Sequence, residues 1–361
     1  MDHSSNVALA LMEQYATRTG LTGARASRRY LWTDAFAVCN FLGLGRPELA
    51  RVLVDRVHHE LGRHHAEDSR RGWISGATDA EGEAHPTRGG LRIGKPLLER
   101  AAGAPIDEEL EWERDGQYFH YLTKWMHALA QLAHATREPR LELWARELAV
   151  AAHRRFVHPG RGGRRMYWKL SVDLSRPQVA SMGHHDPLDG YITMLELEAT
   201  AHALGTTERG PALGNAIADY RAMIDEPALA SADPLGIGGL LVDASRLVQL
   251  GVDQPLLDAV IAAAVVGLRA YAARSDLRRP AEQRLAFREL GLAIGLAAAP
   301  SIDPGRLTPF EPLRHEIQTF WLDPEHRRVR AWSDHEDIND VMLATSLVPS
   351  GLLVLGDLAL T

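Results

Sequence analysis

The chain has 361 residues, 45% of them hydrophobic and 24% charged, which is apolar material for one large buried core or two ordinary ones. A formal net charge of −7 and a pI near 6.2 give no broad positive field, so nucleic acid and anionic membranes are disfavoured as partners. The single cysteine, Cys39, excludes a disulfide framework or a cysteine-based zinc site within one chain. No run reaches the ~18 apolar residues of a membrane span and no cationic leader opens the chain, so a cytoplasmic protein is expected.

Apolar residues recur at helical spacing from end to end, without the sustained alternation of a half-buried strand. In chain order, the periodicity predicts an amphipathic helix over 5–18 and a helix apolar on most faces over 31–43. The same two kinds follow at 47–65 and 117–135, at 140–157 and 187–204, and at 211–225 and 235–250. They end with 254–274 and 283–299, then 310–321 and 337–349. Pro47 stands at the favoured first turn of the third segment.

A helix apolar all round must be buried all round, whereas a one-sided helix belongs outside it. Six inner helices alternating with six outer ones predict an all-α fold, an (α/α)6 toroid, as a single domain over 1–361. The links from inner to outer helix are short, such as GLGR and TREP. The long links, 66–116 and 158–186, run from outer to inner helix and so emerge on one face. Long loops at one end of a rigid scaffold are where sites are commonly built.

The aromatic inner-helix starts Tyr30-Leu31-Trp32-Thr33-Asp34-Ala35-Phe36 and Asp115-Gly116-Gln117-Tyr118-Phe119-His120-Tyr121 complete the pattern. With the architecture, they make the chain resemble the six-hairpin glycosidase-like toroids. That superfamily includes N-acylglucosamine 2-epimerases, cellobiose epimerases and unsaturated glucuronyl hydrolases. The resemblance implies a carbohydrate site in the central cavity, at the end where the inner helices begin.

Polar and aromatic residues gather at those starts. Trp32 and Asp34 come from the first inner helix. Asp115, Gln117, Tyr118, His120, Tyr121 and Lys124 come from the second, where 117, 120, 121 and 124 share a helical stripe. The stretch SMGHHDPLDG supplies His184, His185, Asp186 and Asp189. Arg288 and Glu289 belong to the fifth start, and Trp332, His335, Glu336, Asp337 and Asn339 to the last. Buried polar groups of this kind either pair with one another or build a site.

Two carboxyl groups flanking a bond, one protonated and one ionised, would serve glycoside hydrolysis. Paired histidines near neutral pKa would serve epimerisation beside a carbonyl. The catalytic candidates are therefore Asp115, His120, His185, Asp186, Asp189, His335 and Asp337. Trp32, Asp34, Arg88, Tyr118, Tyr121, Lys124, Lys169, His184, Arg288, Glu289 and Trp332 are the candidates for binding substrate.

Only three of the 40 basic residues are lysines, Lys95, Lys124 and Lys169, and all three map to the face of the long loops. An ammonium kept where arginine otherwise replaces lysine suggests a local need for a flexible point charge, such as binding a substrate carboxylate or phosphate near Arg88 and Arg92. GGLRIGK (89–95) is followed by Pro96 and preceded by no strand, so it is not read as a phosphate loop. HHELGRHH (58–65) reads as a solvated helix end rather than a metal site, and GRGGRR (160–165) as a turn.

The expectation is a carbohydrate-active, glycoside hydrolase-like enzyme that works by acid/base chemistry on a sugar-like small molecule, without cofactor or metal. A sugar epimerase or isomerase is the alternative, and a non-catalytic binding or scaffold toroid the second. The partners expected are a small molecule, not nucleic acid or membrane.

Overall fold

Twelve helices of ten residues or more carry the fold among the described residues, 3–274 and 276–356 of a computed structural model. They are α1 (His3–Arg18), α2 (Leu31–Gly43), α3 (Pro47–Leu61), α4 (Phe119–Thr136), α5 (Pro139–Phe156) and α6 (Asp186–Leu204), then α7 (Gly214–Met223), α8 (Pro234–Leu250), α9 (Gln254–Ala272), α10 (Ala286–Ala297), α11 (Glu311–Leu322) and α12 (Glu336–Leu347). Each matches a predicted segment to within a few residues, and the protein is predominantly helical, 63% helix to 5% strand.

Local chemistry sets the ends. Proline in the first turn opens α5, α6, α8, α9 and α11, where its missing N–H costs nothing. The side chains of Asp233 and Asp253 cap α8 and α9 by accepting from Gly236 N and Leu256 N. Left-handed Gly205 and Gly251 stop α6 and α8.

The chain divides into two compact units. One holds Thr19–Val38 and Pro47–Ile224; the other holds the described residues up to Arg18, Cys39–Arg46 and those from Asp225 onward. In the first unit α4 packs along α6, with α3 and α5 against α4 and α7 against α6. This is the burial that the patterns demand. Every residue of α6 from Asp186 to Leu197 is buried, whereas α5 buries a stripe led by Leu141, Trp144, Ala145, Leu148, Ala149 and Ala152.

In the second unit α10 lies between α8 and α12, with α9 against α8, α11 against α10 and α1 against α12. A Cβ on Gly238 would meet the Gly291 carbonyl oxygen at 2.1 Å, and one on Gly295 would meet that of Gly238 at 2.5 Å. Glycine at these positions lets the backbones of α8 and α10 touch. Helix α9 departs from expectation, since it is long and apolar enough to cross a membrane, with a mean hydropathy of 1.6. Over half of that stretch, 56%, is buried inside the protein, as in a helix packed among protein neighbours.

The two long links belong to the first unit. The first link contains the short helices Asp79–Ala84 and Glu108–Glu113, and strands form in the second and at the residues bordering both. Strands β1 (Gln117–Tyr118), β4 (Lys169–Leu170) and β5 (Pro177–Val179) form an antiparallel sheet in the order β1-β4-β5, while β2 (Val157–Gly160) and β3 (Gly163–Met166) form a hairpin. Gln117 and Tyr118, expected to open a helix, pair instead with Leu170 and Lys169. Helix α3 ends at Leu61, short of His64 and His65, and His58 is buried rather than solvated, accepting from Trp125 Nε1 at 3.0 Å.

Candidate active site

The first turn of α6 carries two buried carboxyl groups. Asp186 precedes Pro187, and Asp189 follows three residues later on the neighbouring face, a spacing that brings side chains together. Lys124 Nζ lies 2.9 Å from Asp189 Oδ1, and Thr123 Oγ1 donates to Oδ2 at 2.5 Å. An ammonium and a hydroxyl are partners that suit a carboxylate.

Asp186 has less support, from the Gly183 backbone and the more distant charge of Lys124. Its Oδ2 is buried without a hydrogen bond among the described residues. Burial, reinforced by the charge of Asp189, pushes its carboxyl up to about 7. Gly183 lies directly against it, and a Cβ there would sit 2.7 Å from Oδ2, so a larger residue would displace the carboxyl.

Rings surround the start of α4. Tyr118, His120 and Tyr121 are mutual neighbours, with centroids 4.7 to 5.6 Å apart. The Tyr30 and Tyr121 hydroxyls meet at 2.8 Å, and Trp32 stands 6.4 Å from the Tyr121 ring. Trp112 stacks beside Tyr118 at 6.1 Å, and Trp168 closes on Trp112 at 5.3 Å. Burial, with Lys124 assisting and Asp189 opposing, lowers the His120 imidazole to about 4, so the ring is neutral at pH 7. His120, Tyr121 and Lys124 are only half-buried, and through them the cluster reaches solvent.

The structure therefore brings together Trp32, Tyr118, His120, Tyr121, Lys124, Asp186 and Asp189. His184 is exposed and His185 half-buried, at the N-terminal edge of α6. Thr123, Tyr30 and Trp112 were missed as site residues. The aromatic stretch around Trp32 contained the signal for Tyr30, but nothing in the acidic EELEWE marked Trp112.

Other predicted residues are committed to the scaffold. Asp115 pairs with Arg92 and accepts from the backbone N–H groups of Gly94 and Gly116 at 3.1 and 3.0 Å. Asp34 pairs with Arg29 at 3.2 Å and caps α2 through Tyr30 N at 2.9 Å. The Gln117 amide donates to the carbonyls of Gly89 and Val172 and accepts from Leu91 N, stitching the loops together. Arg88 faces away from the cluster, toward Glu147.

In the second unit, Glu289 is held by Arg284 and by Trp321 Nε1 at 2.8 Å, and Arg288 pairs with Asp233. Asp337 and Glu336 face Arg18 at 2.9 and 3.4 Å, which also holds Asp340 at 2.7 Å. Trp332 is buried beside Trp321, its carbonyl accepting from Asn339, and His335 is exposed.

Lys169 corrects the lysine argument most sharply. Its ammonium is fully buried, donates to the carbonyls of Glu111 and Arg114, and lies 5.1 Å over the Tyr118 ring. It pins the Glu108–Glu113 helix to β4, and burial lowers its pKa to about 8. Lys169→Met leaves both acceptors unmet, so a loss of about 2 to 3 kcal/mol in urea unfolding at pH 7 is expected. A change under about 0.5 kcal/mol would show that the staple is dispensable.

Two clefts of about 440 and 570 Å³ lie in the first unit, and neither is lined by the aromatic and acidic cluster. Among the described residues, no group of three His, Cys, Asp or Glu side chains is placed to hold a metal ion. No protein-family model matches this chain, and no curated protein matches it.

Proposed function

We propose that this chain is a carbohydrate-active, glycoside hydrolase-like enzyme in which Asp186 and Asp189 act on a sugar or sugar-like small molecule. The observation that carries this is the pair itself: two carboxyl groups one helical turn apart, of which one is raised to about 7 and the other is paired with Lys124. Environments that separate two carboxyl groups in this way assign an acid and an anion.

In this mechanism Asp186 gives its proton to the leaving oxygen as the glycosidic C–O bond breaks. Asp189 attacks the anomeric carbon, and water then releases the sugar with Asp186 as base. A double displacement of this kind retains the anomeric configuration, so net retention is expected on this proposal. The rings of Trp32, Tyr118 and Tyr121 supply apolar faces for a pyranose, with the hydroxyl pair of Tyr30 and Tyr121 beside them. On this proposal the twelve helices are the six hairpins of an (α/α)6 toroid of the glycosidase-like type. The alternative, an epimerase with paired histidines, has less support, because His120 is the one histidine in the cluster.

The test is a panel of 4-nitrophenyl hexosides and hexuronides assayed with wild type, Asp186→Asn and Asp189→Asn. Each variant should lose about 10³-fold or more in kcat while keeping its circular dichroism spectrum, and wild-type kcat should fall above pH 7 as Asp186 ionises. Hydrolysis that persists in both variants would refute the assignment. Epimerised sugar without hydrolysis, followed by NMR, would replace it with the isomerase alternative.

A further inference from the structure

The last turn of α5 ends in Arg154 and Arg155, two exposed guanidinium groups with no hydrogen-bond or ion-pair partner among the described residues. They line the cleft of about 440 Å³, and Arg88, from a separate loop, lines it with them while paired with Glu147 at 3.1 Å. The cleft's two acids are engaged elsewhere. Glu81 accepts from the backbone and hydroxyl of Thr78, while Asp173 accepts from Ser171 and Ser175 and faces Arg70 at 3.5 Å.

The surrounding chain is strongly biased. Between Glu147 and Asp173 there is no acidic residue, yet Arg154, Arg155, Arg161, Arg164 and Arg165 fall there, of which Arg164 pairs with Asp219 at 2.8 Å, in a protein of net charge −7. One cation in a last turn would answer the helix dipole. Two adjacent unpaired guanidinium groups on one concavity, with Arg88 beside them already answered by Glu147, exceed that need. The volume lies in the range of small-molecule sites, about 300 to 1,000 Å³.

We propose that this cleft is a second ligand site, which takes a small molecule bearing a phosphate or carboxylate group on Arg154 and Arg155. The guanidinium fork matches either anion with two parallel hydrogen bonds. The site is independent of the Asp186 and Asp189 chemistry.

The full chain is titrated with inorganic phosphate and, separately, with citrate by calorimetry, at ionic strength held constant with chloride. At least one of the two anions should bind saturably to wild type. Its affinity should fall tenfold or more in the double variant Arg154→Ala/Arg155→Ala, while Arg328→Ala, an exposed arginine far along the chain, should leave it unchanged. Phosphate alone saturating assigns a phosphate ester, and citrate alone a carboxylate; either supports the site. Failure of both anions to saturate wild type overturns the proposal, as does equal affinity in wild type and a double variant whose circular dichroism shows it folded.

Discussion

Replacing Asp186 with asparagine is expected to stabilise the fold at pH 8 while removing its activity on glycosides. The Asp186 carboxyl titrates at about 7 in the folded protein, against an ordinary value of 3.8. Between those two pH values the folded state keeps a proton that the unfolded chain has released. Stability from this group is therefore fully present below pH 4 and declines as pH rises, by about 1.4 kcal/mol per unit, until the folded carboxyl has ionised near pH 7. The whole loss is roughly 4 kcal/mol. Asparagine keeps the shape without the charge and escapes that loss. Urea unfolding of wild type and variant at pH 4, 6 and 8 should give a difference near zero at pH 4 that grows in the variant's favour. Parallel curves at all three pH values would show that Asp186 is not raised.

A carboxyl that weakens its own fold at neutral pH is the kind of group retained for chemistry. A purely structural role would have been met more cheaply by asparagine or by an apolar residue. The same substitution therefore reads two properties with opposite signs. A loss of stability at every pH with activity kept would assign Asp186 to the scaffold, with Asp34 and Asp115.

The twelve helices were legible because burial imposes a period. Residues 187–204 are apolar or small around the whole circumference, and α6 is buried on every face over its first three turns. Strands of two to four residues have no room to show alternation, so the sheet and hairpin in the long links were not. The gathering of polar groups at helix starts was also legible, but not their partners. Asp115 and Arg92 are 23 positions apart, and Asp337 and Arg18 are 319 apart, separations over which sequence carries no pairing signal. The lysines show the same limit. Lys124 stands in the acidic and aromatic cluster, whereas Lys169 staples two carbonyls and Lys95 donates to the Trp112 carbonyl near Glu113. Two of the three ammonium groups are thus taken up by backbone carbonyls, partners that sequence does not show.

Glu289→Ala is expected to cost about 3 to 5 kcal/mol, the loss of a buried ion-pair partner. Arg284 is buried, donates to both oxygens of Glu289 at 2.6 to 3.1 Å, and lies 3.7 Å over the Phe320 ring. Trp321 Nε1 adds a third donor at 2.8 Å. Truncation strands a guanidinium and an indole N–H away from water, while Glu289→Gln keeps an acceptor and should lose about half as much. Glu289→Leu combined with Arg284→Met removes both charges and should recover most of the stability, because a buried pair gains little over apolar packing of similar volume. Urea unfolding of the four proteins completes the cycle. A cost below about 1 kcal/mol for Glu289→Ala would free this carboxylate from the scaffold and return it to the groups available for binding substrate.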